Sequence, residues 1–127
     1  MTARILVVED NKLNLELATE LLKSSGYTVL QSRSAEEGLR VAREQRPDLI
    51  LMDVRMPGMD GLAAVRVLKQ DPDTRMIPAV AMTAQAMRGD EEAARDAGFD
   101  AYVTKPIDTR AFPSVVARLL GGRETTA

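Results

Sequence analysis

The chain has 127 residues, 17 basic and 19 acidic for a formal charge of −2, with no cysteine and no histidine. That length fits one compact domain able to bury its core without disulfides or structural metals, and the charge gives no pull toward nucleic acid or an anionic membrane. Thiol nucleophiles, Ser-His pairs, zinc cages and histidine bases are excluded, which leaves carboxylate, hydroxyl and amine chemistry.

Two tyrosines and two phenylalanines are too few for base-stacking platforms. The apolar runs are far shorter than a membrane span, and Met1-Thr2-Ala3-Arg4 leads directly into a strand rather than a signal-peptide core. A soluble cytoplasmic protein with no membrane insertion and no nucleic-acid partner is expected.

Short aliphatic runs alternate with segments of helical apolar spacing, the pattern of repeated β-α units around a parallel sheet. Ile5 to Val8 is the first strand and ends on Glu9-Asp10; a helix follows from about Lys12 to Ser24. In that helix Leu13, Leu17 and Leu21 form the expected inward stripe, widened by Ala18 and Leu22, and Gly26 is the stop signal. Either Asp10 or Asn11 can cap it. Thr28-Val29-Leu30 is a short second strand, and Ser34 with Glu37 has capping-box spacing for a second helix that turns Leu39 and Ala42 inward and ends at Arg46-Pro47.

The third strand, Asp48 to Asp53, is apolar on both faces, as a central parallel strand must be. After Pro57-Gly58-Met59-Asp60-Gly61, a third helix uses Leu62, Val65 and Leu68 and stops before Asp71-Pro72. Strand four spans about Pro78 to Thr83. The fourth helix, about Asp90 to Ala97, turns mainly alanines inward and ends at Gly98, so weak anchoring and movement are expected of it. Strand five is Ala101 to Val103. The last helix presents Val115, Val116, Leu119 and Leu120; a start near Phe112 would place Pro113 in its first turn, where a missing N–H costs nothing. Gly121-Gly122 is expected to end it, giving a domain over residues 1–122 and a frayed tail over 123–127.

With the strands parallel, Glu9, Asp10, Asp53, Thr83 and Lys105 all fall at the carboxyl edge of one sheet, where open α/β folds place their binding crevice. Singly, each has a bland explanation: an acidic helix cap, a strand end, a solvated lysine. Together they put three carboxylates, a hydroxyl and an ammonium in one place. Carboxylates packed so closely repel, a cost relieved by a hard divalent ion with oxygen ligands, for which Mg2+ fits best. Beside such an ion Asp53 can act as a nucleophile toward a phosphoryl group, with Thr83 and Lys105 bonding its oxygens.

These residues resemble the response-regulator receiver domain, a CheY-like family. The resemblance rests on Glu9-Asp10 after strand one, Asp53 after strand three, Met56-Pro57-Gly58-Met59-Asp60-Gly61, Thr83-Ala84 after strand four and Lys105-Pro106 after strand five. It covers essentially residues 4 to 120. Val8-Glu9-Asp10-Asn11, Leu15 and Ala86-Met87-Arg88-Gly89-Asp90-Glu91 are most similar to the single-domain DivK type of cell-division and polarity regulator.

The resemblance implies a doubly wound five-stranded parallel sheet in the order 2-1-3-4-5 with five flanking helices. It implies that Asp53 accepts a phosphoryl group from a phosphohistidine on a histidine kinase or histidine phosphotransfer protein. Mg2+, with Mn2+ as a substitute, would be held by Asp10, Asp53 and the backbone carbonyl of Arg55, with Glu9 acting through a bound water. Thr83 and Tyr102 would rearrange on phosphorylation and change the surface of helix four, strand five and helix five toward a downstream protein target. The family also carries a cis bond between Lys105 and Pro106. Arg55 and Gln85, each two residues beyond a site residue, are expected to tune the phosphoryl lifetime. Partner docking is expected on helix one around Asn14 and Leu15 and on the Pro106-Ile107 loop. The protein is expected to be a monomer, with dimerisation on phosphorylation left open.

The expected product is a phosphoacceptor switch rather than a turnover enzyme. Met1 and the short uncharged end Thr125-Thr126-Ala127 favour a stand-alone chain over a receiver cut from a hybrid kinase or longer regulator. An aspartyl-nucleophile phosphatase would need an acid two residues after Asp53, where this chain has Arg55. A flavin site would place phosphate against the acidic loop after strand one.

Overall fold

The computed structural model describes residues 2–83, 88–104 and 111–124. Five strands and five helices alternate along the chain: β1 (Arg4–Val8), α1 (Lys12–Ser24), β2 (Thr28–Ser32), α2 (Ala35–Gln45) and β3 (Leu49–Asp53), then α3 (Gly61–Gln70), β4 (Ala79–Thr83), α4 (Arg88–Ala97), β5 (Ala101–Thr104) and α5 (Ala111–Glu124). All neighbouring strands are parallel, in the order β2-β1-β3-β4-β5. The expected doubly wound α/β architecture is therefore present.

Strand residues alternate between two cores. Leu6, Val8, Ile50, Met52, Ala79 and Ala81 pack with α2, α3 and α4 on one face of the sheet. Ile5, Val7, Leu49, Leu51, Val80 and Met82 pack with α1 and α5 on the other. Burial on both faces explains the unbroken apolar runs of β1, β3 and β4. From β1 the chain steps to β2 at one edge and then returns to β3 on the far side of β1. The carboxyl ends of β1 and β3 thus flank the topological switch point, where the connecting loops diverge and leave a crevice.

Helix ends follow local chemistry. Asn11 caps α1 by accepting from the Asn14 N–H at 3.0 Å, which leaves the Asp10 side chain outside the cap. Ser34 caps α2 through the Glu37 N–H, and Asp60 caps α3 through the Ala63 N–H. Among the described residues of α4, Ala94 and Ala97 are buried, as the alanine-rich sequence implies. Pro113 is the third residue of α5, within its first turn, and Val116 and Leu120 are buried.

Two expectations fail. The inward stripe of α1 is only partly the expected one: Ala18 and Leu22 are buried and Leu21 packs against the core, but Leu13 is 65% and Leu17 56% exposed, and Leu15 and Thr19 are buried instead. Leu13 and Leu17 share the helical spacing of Leu15, Ala18 and Leu22, and the rotation of α1 against β1 and β2 buries the latter. Gly121-Gly122 also does not end α5, which continues to Glu124. Paired glycines weaken a helix by about 1 kcal/mol each, a cost that stops it only where nothing else continues the turn.

Candidate functional site

Glu9, Asp10 and Asp53 converge at the switch point. One carboxylate oxygen from each lies within 4.8 Å of the others. Glu9 is fully buried and Asp53 5% exposed, whereas Asp10 is half-buried and opens the cluster to solvent. An all-oxygen donor set of this size, with one open side, suits a hard divalent cation that keeps several of its waters.

The backbone around the cluster holds two of its carboxylates, Glu9 and Asp53, in place. The Asn11 N–H donates to Glu9 Oε1 at 3.1 Å, and the Arg55 N–H donates to Asp53 Oδ1 at 3.1 Å. Both are side-chain-to-backbone turns two residues long, which orient an acid as its strand ends. The loop after β3 is stitched back by Val54 N–H to Met82 O at 2.9 Å and Gly61 N–H to Val54 O at 2.9 Å. Gly61 is essential to that fold-back: a Cβ there would lie 2.4 Å from the Asp53 carbonyl oxygen. Its role is a close backbone approach that only glycine allows.

Thr83 is the last residue of β4 and buried; Asp53 is paired in register with Met82, so Thr83 lies one residue further along the same edge. Tyr102 sits in β5 opposite Ala81, half-buried against the core shared with α2, α3 and α4. Arg55 is exposed beside Asp53. Asn14 is half-buried in the first turn of α1. Leu15 is a correction to the expected docking surface: at 4% exposure it packs into the core with Ala18 and Leu22 and offers a partner no side chain. Gln85, Lys105, Pro106 and Ile107, with the bond between Lys105 and Pro106, lie outside the described residues.

Comparison with known proteins settles the family. The sequence matches the model of the response regulator receiver domain over residues 5–117. The chain belongs to the receiver family. This receiver is 46% identical over 121 residues to the polar-differentiation response regulator DivK of Brucella ovis, a match covering 95% of this chain and 98% of that protein. Among solved structures it is similar to the receiver domain of a sensor histidine kinase from Pseudomonas aeruginosa PAO1, at 36% identity and a TM-score of 0.88, over 95% of this chain and 99% of that one. That structure holds a magnesium ion coordinated in its active site cleft. The receiver domain of a signal transduction histidine kinase from Syntrophus aciditrophicus is similar at 38% identity and a TM-score of 0.88, over 95% and 92% of the two chains.

Sequence reasoning placed the three acids and Thr83 at one edge, and the structure brings them there. It passed over Gly61 as a site residue and did not consider Arg33 or Glu36, whose side chains touch the two loops that carry the acids. The glycine was visible in the quoted motif. The other two are exposed charges in a helix-start segment, with no pattern to single them out.

Proposed function

We propose that this receiver is a phosphorelay switch in which Asp53 accepts a phosphoryl group from a phosphohistidine of a histidine kinase or histidine phosphotransfer protein. The observation that carries the reading is the convergence of Glu9, Asp10 and Asp53 at the switch point. Asp10, Asp53 and the Arg55 carbonyl would hold Mg2+ or Mn2+, with Glu9 acting through a water. The ion supplies neutralisation of charge on the incoming phosphoryl oxygens.

An Asp53 oxygen attacks phosphorus, the P–N bond breaks, and its electron pair stays on the donor imidazole. The hydrogen bond from Arg55 N–H to Oδ1 orients the carboxylate for that attack. Phosphorylated Asp53 carries more negative charge and more acceptor oxygens, to which Thr83 and Lys105 would donate. Moving a minor state from 1% to 99% takes about 5.5 kcal/mol. A few charge-assisted bonds at roughly 1.5–3 kcal/mol each suffice. Thr83 and Tyr102 would then repack, and the surface of α4, β5 and α5 would change toward a downstream protein. Arg55 and Gln85 would set the phosphoryl lifetime. Asn14, Pro106 and Ile107 would meet the donor.

The similarity to DivK supports a single-domain regulator of cell division or polarity; the protein would be cytoplasmic, with no turnover of its own beyond gaining and losing the phosphoryl group. No helix among the described residues is long and apolar enough to cross a membrane. The similarity to two histidine-kinase receivers favours a second reading, a receiver within a larger kinase.

The test is intact mass after incubation with acetyl phosphate, with and without Mg2+, for the native protein and Asp53→Asn. One Mg2+-dependent phosphoryl adduct that is lost in the nearly isosteric variant is expected. An adduct of equal yield in Asp53→Asn would place the acceptor elsewhere.

A further inference from the structure

The turn between β2 and α2, with the first turn of α2, touches both the loop that carries Asp10 and the loop that follows Asp53. β1 and β2 remain paired past the strand, with the Glu9 N–H donating to Ser32 O at 3.0 Å. Arg33 therefore emerges beside Asp10, and its Nη2 donates to the Asp10 backbone carbonyl at 2.9 Å. Three residues later, in the first turn of α2, Glu36 Oε1 accepts from the Met59 N–H at 3.2 Å. Met59 belongs to the loop that leads from Asp53 into α3. A Cβ on the neighbouring Gly58 would lie 3.6 Å from the same Glu36 oxygen, so the carboxylate rests against this turn.

The segment that carries both side chains is firmly seated. Ser34 caps α2, and Gly38 lies so near β1 that a Cβ would fall 2.8 Å from Val8 Cγ2. The cap of α2 is Ser34 and neither Arg33 nor Glu36, and both are exposed, where a hydrogen bond adds little to stability. What they share is geometry: one rigid turn grips the Asp10 loop with a cation and the Asp53 loop with an anion.

We propose that Arg33 and Glu36 are positioning residues that set the spacing of Asp10 against Asp53 and so the affinity of the site for a divalent ion. This rests on the metal-assisted phosphoacceptor reading above. Mg2+ demands near-octahedral geometry at about 2.0–2.1 Å from each ligand, so a small drift of either loop loses a bond. Neither residue touches the reacting atoms; Arg33 acts through the backbone of Asp10 and Glu36 through the loop that follows Asp53.

The test is calorimetric Mg2+ titration, with amide exchange of the metal-free protein, on the native chain, Arg33→Ala, Glu36→Ala, the double variant, Arg33→Lys and Glu36→Gln. Each alanine variant is expected to bind Mg2+ about threefold more weakly and the double variant about tenfold. The Met59 amide should exchange faster in Glu36→Ala, with melting temperatures unchanged. Arg33→Lys and Glu36→Gln, which keep a donor and an acceptor, should stay within about twofold of native. Unchanged affinity in the alanine variants would overturn the proposal. So would equal losses in Glu36→Gln and Glu36→Ala, since charge and not the bond would then be acting, or losses that track a lowered melting temperature. A native protein that binds no Mg2+ overturns this inference and the phosphoacceptor reading together. Native Mg2+ binding and phosphorylation of Asp53 with silent variants overturns this inference alone.

Discussion

The two edges of the sheet differ in what gathers around their carboxylates. At the amino edge, acids meet donors of the protein: Asp100 Oδ2 accepts from the Ala79 N–H at 2.8 Å and from Lys69 Nζ at 3.1 Å, and Asp71 Oδ2 accepts from Arg43 Nε at 3.0 Å. Asp48 Oδ2 likewise takes the Arg4 N–H at 2.8 Å. Lys69 also donates to the Ile77 carbonyl at 3.0 Å, and its stem fills the space over Gly98, where a Cβ would lie 2.8 Å from its Cγ. At the carboxyl edge the acids converge on one another within 4.8 Å. The first arrangement ties α3, β4 and the turn into β5 together. The second gathers negative charge where a ligand can use it. A carboxylate's role here is thus read from its neighbours rather than from its burial.

The sharpest way to break the contrast is Gly61→Ala. The added carbon meets a backbone oxygen that cannot swing aside, so the loop must shift and carry Asp53 with it. A loss of about 3 kcal/mol in urea unfolding is expected, together with weakened Mg2+ binding. Retention of both would show that the close approach is not required.

Asp100→Ala tests the amino edge. It strips the Ala79 N–H of this acceptor and Lys69 of its anion, and should cost about 2 kcal/mol while leaving Mg2+ affinity unchanged. A loss of metal affinity equal to that of Gly61→Ala would mean that the two edges are not independent.

The smallest effect concerns Asp71. The Asp73 N–H, at 2.9 Å, and then Arg43 and Arg46 hold its carboxyl below the ordinary carboxylate range. A carboxyl with a lower pKa folded than unfolded contributes stability above its unfolded value, and that contribution fades as pH falls through the folded one. Arg43→Ala should therefore lower the urea midpoint slightly at neutral pH and narrow its gap from the native protein in acid. A gap that widens in acid would reverse the assignment.

Much of this was legible from the chain. Apolar runs buried on both faces leave little freedom except a central parallel strand, so β1, β3 and β4 could be read almost to the residue. Their polar ends then had to share an edge, which located Glu9, Asp10, Asp53 and Thr83. Helix α1 shows the limit. Leu13 and Leu17 have the same periodicity as Leu15, Ala18 and Leu22, and periodicity carries no information about rotation.

By itself, then, the sequence determined the element order, the parallel sheet and the acids at its carboxyl edge, because hydrophobic period and strand ends are local properties. Only the tertiary structure decided which face of α1 is buried, that Leu15 is core, that Gly61 must be bare against the Asp53 carbonyl, and that Arg33 and Glu36 reach the two loops of the site. Each of these depends on the distance between segments far apart in the chain, and such distances are set when helices settle onto the sheet.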